Sequence, residues 1–388
     1  MTAKRKKILF ITPGAQSFGG NILLLNFLRW YKQHGTADFV TLYGHGGDLE
    51  KDLAALSPTY QYYFDDSSDS FVSKAAAKLG NQLELRRATL RRKIRREKID
   101  LIYCNAVTNG RMLSMFDDVK VAVITHCHEL ESLIQLTGID EFDRLKERTT
   151  HFVAVSQAVR ENLMRHDIAD QKITVQHGFI PIIDVLVDEM RASVRRELGI
   201  PHDAFIVGAS GTLNWRKAPE LFVQMAKAVA DRRAGGNIHF VWVGGASKDS
   251  PEAFRLLFDI EKLGLSHCVH FIEHVSNPLD YFAAIDVFAM ISREDPYPLV
   301  CLEAASVGKP IICFADAGGM PEFVEEDCGF VVPYLDIDGF AARVIELSSS
   351  PDLLTRMSAN AFRKVRERHD IERSAPKLAE LLTRFVEQ

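Results

Sequence analysis

What this chain lacks narrows its function first. Its cysteines, Cys104, Cys127, Cys268, Cys301, Cys313 and Cys328, are scattered and form no C-x-x-C pair, so neither a zinc ribbon nor a dithiol redox centre is indicated. Most lie in apolar strings such as Val300-Cys301-Leu302 and Ile311-Ile312-Cys313-Phe314, where cysteine serves as a small buried hydrophobe. No apolar run approaches the roughly 18 residues that a membrane-spanning helix needs. The basic start, Met1 to Lys7, is like a signal n-region, but the run behind it, Ile8–Thr12, stops at Pro13-Gly14 and is too short for a signal core. A cytoplasmic protein is the expectation. Positive charge is not in excess: 47 Lys and Arg against 52 Asp and Glu leave −5. That balance excludes a globally basic nucleic-acid binder and leaves local patches open. No internal repeat and no low-complexity tract is found.

What is there is an ordinary globular composition, 388 residues and 47% hydrophobic, enough for two or three domains with cores that need no staples. Short β-branched runs alternate with longer amphipathic stretches. The spacing predicts strands at Ile8–Thr12, Phe39–Leu42, Leu101–Cys104, Val121–Thr125, Phe152–Val155 and Ile173–Gln176, then at Ile206–Ala209, Ile238–Val243, Val269–Ile272, Val287–Met290, Ile311–Phe314 and Gly329–Val332. Continuous apolar strands separated by helices are the pattern of parallel sheets buried on both faces. The expected fold is α/β, with two doubly wound, Rossmann-like sheets. Pro181, Pro201 and the charged stretch near Glu197 interrupt the pattern between Gly178 and Ile206. This gives domains at 1–180 and 181–365, with 366–388 a C-terminal helix packing back on the first. Open α/β sheets bind ligands beyond the carboxyl ends of their strands, so the site is expected in the loops there, in a cleft between the sheets.

Four loops hold candidates. Pro13-Gly14-Ala15-Gln16-Ser17-Phe18-Gly19-Gly20 precedes a helix-like stretch. It is neither G-x-G-x-x-G nor a Walker loop, and suits either backbone approach to an anion or a plain tight turn. Thr125-His126-Cys127-His128-Glu129 places two histidines past a strand, as cleft lining, as structural histidines, or, least supported, as metal ligands. Gly211-Thr212-Leu213-Asn214-Trp215-Arg216-Lys217 ends in adjacent cations that suit a diphosphate, or a solvated surface pair. In Ser292-Arg293-Glu294-Asp295-Pro296-Tyr297-Pro298-Leu299-Val300-Cys301-Leu302-Glu303, Pro298 suits the first turn of a helix whose Leu299 and Val300 N–H groups face an anion. Glu303 follows about one turn on, embedded among apolar residues.

Asp295-x7-Glu303 resembles the E-x7-E signature of the family 4 retaining glycosyltransferases, which have the GT-B fold. The string from Ser292 to Ala304, then Gly308-Lys309-Pro310-Ile311, is similar to that family's most recognisable block. Gly19-Gly20, His128-Glu129-Leu130, Val153-Ala-Val-Ser156, His177-Gly178, Gly211 with Arg216-Lys217, Gly244-Gly245 and Gly318-Gly319-Met320-Pro321-Glu322 follow in the family's order.

The resemblance implies transfer of a sugar from a nucleotide donor, with retained anomeric configuration and no metal or cofactor. UDP-glucose is favoured as donor, then UDP-N-acetylglucosamine or GDP-mannose. The acceptor is a glycan or lipid-linked molecule in polysaccharide or glycolipid synthesis. By position, Glu303 binds the donor ribose and Arg216 and Lys217 hold the diphosphate, with the Leu299 and Val300 N–H groups on the phosphates. Asp295 meets the sugar hydroxyls, and His128 lies near the anomeric carbon. Gly211 lies in the donor loop, Gly244, Glu273 and His274 fall where the base is held, and Gly19 and Gly20 meet phosphates or acceptor. The first domain takes the acceptor and the second the donor. Front-face attack is the expected course, with a covalent intermediate on Asp295 the alternative.

The chain departs from the family in three places. Asp295 stands where Glu is usual, one methylene shorter. Pro296 and Pro298 replace the glycines of Gly-Phe-Gly and remove two backbone donors. Thr212 stands where Arg often follows the glycine. A nucleotide-sugar 2-epimerase of the same fold and a non-catalytic nucleotide-sugar binder are the rival readings. Asp336-Ile-Asp338 is read as helix capping rather than as a metal site.

Leu79–Ile99 carries Arg86, Arg87, Arg91, Arg92, Lys93, Arg95, Arg96 and Lys98 opposite a stripe of Leu79, Leu83, Leu90 and Ile94. It is read as an amphipathic helix with a basic face, solvated or adsorbed on anionic membrane through Arg86–Lys98. Nucleic acid is not expected, since no aromatics interleave with the cations.

Overall fold

The computed structural model describes residues 5–64, 73–233, 237–245, 247 and 249–387; the side chains of 73–81 lie outside the description. The chain divides into two compact units, Met1–His177 together with Ile371–Gln388, and Gly178–Asp370.

The first unit is built on seven parallel strands: β1 (Lys7–Gly14), β2 (Asp38–His45), β3 (Thr59–Gln61), β4 (Leu101–Cys104), β5 (Ala122–Cys127), β6 (His151–Ala154) and β7 (Ile173–Val175). The second has six: β8 (Phe205–Ser210), β9 (Ile238–Val243), β10 (Val269–Ile272), β11 (Val287–Met290), β12 (Ile311–Phe314) and β13 (Gly329–Val332). Their orders are β3-β2-β1-β4-β5-β6-β7 and β10-β9-β8-β11-β12-β13. Both sheets run outward from the first strand and then reverse, which is the doubly wound Rossmann order with its switch point between the first and fourth strands.

The sheets form around central strands that carry continuous apolar runs. Ile8, Leu9, Phe10 and Ile11 are all fully buried, as are Ile311, Ile312, Cys313 and Phe314, so helices must cover both faces. In the second unit, helices Pro219–Arg232 and Ile337–Ser349 pack together on one face and add Phe222, Met225, Phe340 and Val344 to its core. All six cysteines are free and buried. Asp336 caps Ile337–Ser349, its Oδ1 accepting from the Gly339 N–H at 2.8 Å, and Asp338 pairs with Arg232 at 2.6 Å.

Twelve of these strands coincide with predicted runs within a few residues. The thirteenth, β3, was not expected: its three residues, Thr-Tyr-Gln, add to an edge through Thr41↔Thr59 and two further pairs. The C-terminal segment forms two helices, Pro351–Arg368 and Ile371–Val386. The second belongs to the first unit, where Trp30 Nε1 donates to Glu372 at 3.1 Å.

The basic segment forms the helix Ser73–Arg96. Leu90 and Ile94 are buried; the predicted stripe position Leu79 lies outside the described side chains. Lys98, counted in the basic face, lies past the helix end at φ 55°. The face is partly neutralised within the protein. Arg91 pairs with Asp118 at 2.6 Å, Arg95 contacts the same carboxylate, and Arg87 pairs with Glu84 at 2.8 Å. Arg86, Arg92, Lys93 and Arg96 are exposed. Among the described residues no helix is long and apolar enough to cross a membrane.

Candidate active site

In the second unit the predicted residues gather at the switch point between β8 and β11. The loop leaving β8 carries Gly211 to Lys217, and the loop leaving β11 carries Ser292 to Pro298. Arg293 N–H donates to Arg216 O at 2.8 Å and laces the two loops together. Between them lies the Asp295 carboxylate, 5% exposed. Lys217 Nζ contacts its Oδ2, Arg216 Nη1 lies 3.7 Å from its Oδ1, and Ser292 Oγ donates to Oδ2 at 3.5 Å. The backbone of Asp295 is fixed as well. Its N–H donates to Ala317 O at 2.6 Å, and it forms a parallel bridge with Gly318 in the predicted Gly318-Gly319 loop.

A small cavity opens here, lined by Ser210, Lys217, Ser292, Asp295, Pro298 and Val300. Two cations and one carboxylate leave a positive surplus at the head of a helix, Leu299–Ser306, whose first N–H groups have no partner within the helix. Such a place suits an anion.

The glycines explain how the loops come so close. Gly211 sits at φ +155°, and a Cβ there would meet the Lys217 chain at 3.0 Å. Gly244, at φ +97°, follows β9 and donates its N–H to Ile272 O at 3.1 Å. A Cβ on Gly244 would lie 3.5 Å from Gly211 O. Trp242 Nε1 also donates to that oxygen, at 3.0 Å. Glu273 and His274 follow β10, next strand outward, and are exposed.

Glu303 lies on the Leu299–Ser306 helix among buried Cys301, Leu302, Ala304 and Ala305 and is itself partly buried. Burial pushes its carboxyl up to about 7.

The remaining predicted residues, Gly19, Gly20 and His128, belong to the first unit and its own switch point, between β1 and β4. A Cβ at Gly19 would meet nothing within 4 Å, whereas one at Gly20 would stand 3.3 Å from the His128 ring. Only Gly20 is needed for that approach. Asn105, just past β4, donates from Nδ2 to Gly20 O at 2.9 Å and faces His128 Nε2 with Oδ1 at 3.1 Å. This fixes the histidine: Nε2 carries the proton, and Nδ1 is left as an acceptor. Burial holds the imidazole down at about 4, so it is neutral at pH 7. Glu129 receives the N–H groups of His128 at 2.9 Å and Val107 at 3.2 Å and so serves the loop's backbone. His126 bonds Tyr103 Oη through Nδ1 at 2.5 Å and is fully buried. It is the structural histidine of the two.

Asn105 was not anticipated, and Ser292 stood in a candidate loop without an expected role. Both sit directly after strands that flank a switch point, so strand order would have indicated them once the topology was fixed. Ser156, in a predicted family string, accepts from Val159 N–H at 3.2 Å and caps a helix.

Two Rossmann-like parallel sheets in one chain, each with candidate residues at its switch point, have the GT-B architecture. Two family models match: glycosyl transferases group 1 over residues 190–364, and glycosyltransferase family 4 over residues 58–182. The chain belongs to the family 4 glycosyltransferases. It is 29% identical over 252 residues to the D-inositol 3-phosphate glycosyltransferase of Streptomyces scabiei, covering 63% of this chain and 55% of that protein. The protein of the same name from Corynebacterium glutamicum is 26% identical over 297 residues, with 70% of each chain covered. The chain spans about half the length of the Streptomyces relatives it matches. Among solved structures, Anabaena HepE in complex with UDP-glucose superposes with a TM-score of 0.80 at 19% identity, covering 97% of this chain and 99% of that one. Sucrose-phosphate synthase from Thermosynechococcus elongatus gives 0.75 at 16% identity, covering 98% and 99%.

Proposed function

We propose that this protein is a retaining glycosyltransferase that moves a hexose from a nucleotide sugar to a glycan or lipid-linked acceptor. The observation that carries the reading is the Arg216–Lys217 pair beside the free N-terminus of Leu299–Ser306. Together they form a site for a diphosphate, whose negative charge grows as the donor bond breaks. Glu303 accepts from the ribose hydroxyls, and Gly244, Glu273 and His274 flank the base. Asp295 reads the sugar hydroxyls once the diphosphate has taken over its cations, and Gly211 lets Lys217 swing toward the phosphates. In the first unit, neutral His128 offers Nδ1 as an acceptor near the anomeric carbon, and Gly19 and Gly20 meet the acceptor or phosphates.

UDP-glucose is the favoured donor, with UDP-N-acetylglucosamine and GDP-mannose next. HepE, which shares its fold with this chain, was crystallised in complex with UDP-glucose. Proton NMR of the protein incubated with each donor tests the reading. Release of nucleoside diphosphate with an α-configured sugar product from an α-linked donor is expected. A β-configured product contradicts retention.

The protein is proposed to work in the cytoplasm, resting on anionic membrane through the exposed cations of the Arg86–Lys98 segment. Replacing Arg86, Arg92, Lys93 and Arg96 by Gln is expected to abolish sedimentation with phosphatidylserine vesicles at low salt. Undiminished sedimentation removes the membrane role.

A further inference from the structure

The segment that joins Asp295 to the anion-facing helix is Pro296-Tyr297-Pro298, and it is stiff where a Gly-x-Gly segment would be free. Each proline fixes its own φ near −65°; Pro298 has φ −69°. Pro296 O is pinned by the Gly319 N–H at 3.0 Å. Between two locked residues, the placement of Tyr297 sets where the first turn of Leu299–Ser306 points.

Tyr297 is 7% exposed, and its hydroxyl lies 3.2 Å from His369 Nε2. Burial pushes the phenol well up, so it stays protonated. His369 Nδ1 lies 2.9 Å from Gly178 O. A carbonyl only accepts, so Nδ1 carries the ring proton and Nε2 accepts from the Tyr297 O–H.

His369 is committed on its backbone too. Its N–H donates to Val365 O at 2.8 Å, ending the helix Pro351–Arg368, and its carbonyl accepts from Ile180 N–H at 3.0 Å. Gly178 and Asp370 are the residues at which the chain enters and leaves the second unit. The His369 imidazole therefore ties the segment beside the anion site to the first crossover at Gly178, and His369 itself precedes the second at Asp370. The Pro351–Arg368 helix is itself anchored by Lys364, 1% exposed, on Phe323 O at 3.0 Å and Glu325 at 2.8 Å.

We propose that Tyr297 and His369 act as one positioning device, by which the crossover holds the Pro296–Pro298 segment and aims the Leu299 and Val300 N–H groups at the donor diphosphate. Neither residue touches the donor; their effect travels through the locked prolines. This inference rests on the donor-binding reading above.

Calorimetric titration with UDP and GDP tests it, on the wild type, Tyr297→Phe, His369→Phe and the double variant. Tyr297→Phe keeps the buried ring and loses only the hydroxyl. Each single variant is expected to weaken UDP binding about fivefold, the worth of one net hydrogen bond. The double variant is expected to be no weaker than the weaker single one, since both break the same link. A purely stabilising role would lower the melting temperature and leave the dissociation constant of the folded protein unmoved. Wild-type binding with unchanged affinity in Tyr297→Phe overturns the device, and that variant decides alone if His369→Phe does not fold. If the wild type binds neither nucleotide, the donor reading itself fails, and this inference falls with it.

Discussion

Replacing Arg216 and Lys217 together by alanine is expected to lower turnover by about 100- to 1,000-fold, the usual cost of removing fixed charge stabilisation from a developing anion. Neither cation is fully solvated: the Lys217 side chain is 15% exposed and that of Arg216 30%. Their partner, Asp295, is 5% exposed, so the double variant also strands a buried carboxylate, and its melting temperature is expected to fall. The two effects separate in steady-state kinetics on folded protein below the transition. Arg216→Lys keeps the charge and loses the guanidinium fork, so it is expected to retain more activity than Arg216→Ala. Full turnover in the double variant would reduce the pair to a structural ion pair for Asp295.

Glu303→Ala is expected to weaken nucleoside diphosphate binding by about 100-fold, because a carboxylate accepting from two ribose hydroxyls makes charge-assisted hydrogen bonds. Its raised ionisation adds a pH signature. A carboxyl displaced from 4.5 to about 7 is protonated in the folded chain and ionised in the unfolded chain between those values. The folded state therefore binds more protons in that window, and stability declines as pH climbs through it. The loss is complete above about 7 and amounts to about 3 kcal/mol at most. Glu303→Gln removes the buried charge, so at pH 8 it is expected to melt above the wild type, and at pH 4 level with it. UDP affinity is expected to tighten from pH 6 to pH 8 in the wild type as Glu303 ionises. Glu303→Gln keeps only the part of that change that belongs to the nucleotide's own phosphates. A wild type and a Gln variant with the same pH dependence would free Glu303 of the ribose role.

The strands were legible because parallel strands covered on both faces must be apolar throughout, as Ile8–Ile11 and Ile311–Phe314 are. Three residues of β3 at a half-covered edge carry no such pattern, and Thr-Tyr-Gln reads as loop. The end of the basic helix was hidden for a related reason. The charge pattern runs on through Lys98, while the backbone turns to positive φ there.

At the site, Glu303 stood out through its apolar neighbours, and Arg216-Lys217 through adjacency. What sequence did not disclose depends on contacts between distant segments. Asn105 matters because the chain order places it beside Gly20, 85 residues earlier, and His128, 23 residues later. His369 lies 72 residues beyond Tyr297 and 191 beyond Gly178, and no local pattern marks it. The neutral state of His128 likewise follows from burial, which a residue string does not display.

Lys217, Arg216 and Glu303 together are expected to bind a nucleoside diphosphate. Calorimetric titration of the wild type and Glu303→Ala with UDP and GDP decides this. Saturable one-to-one binding of one of the two nucleotides by the wild type is expected, with a loss of about 100-fold in the variant. Absence of binding by the wild type, or equal affinity in the two proteins, would contradict it.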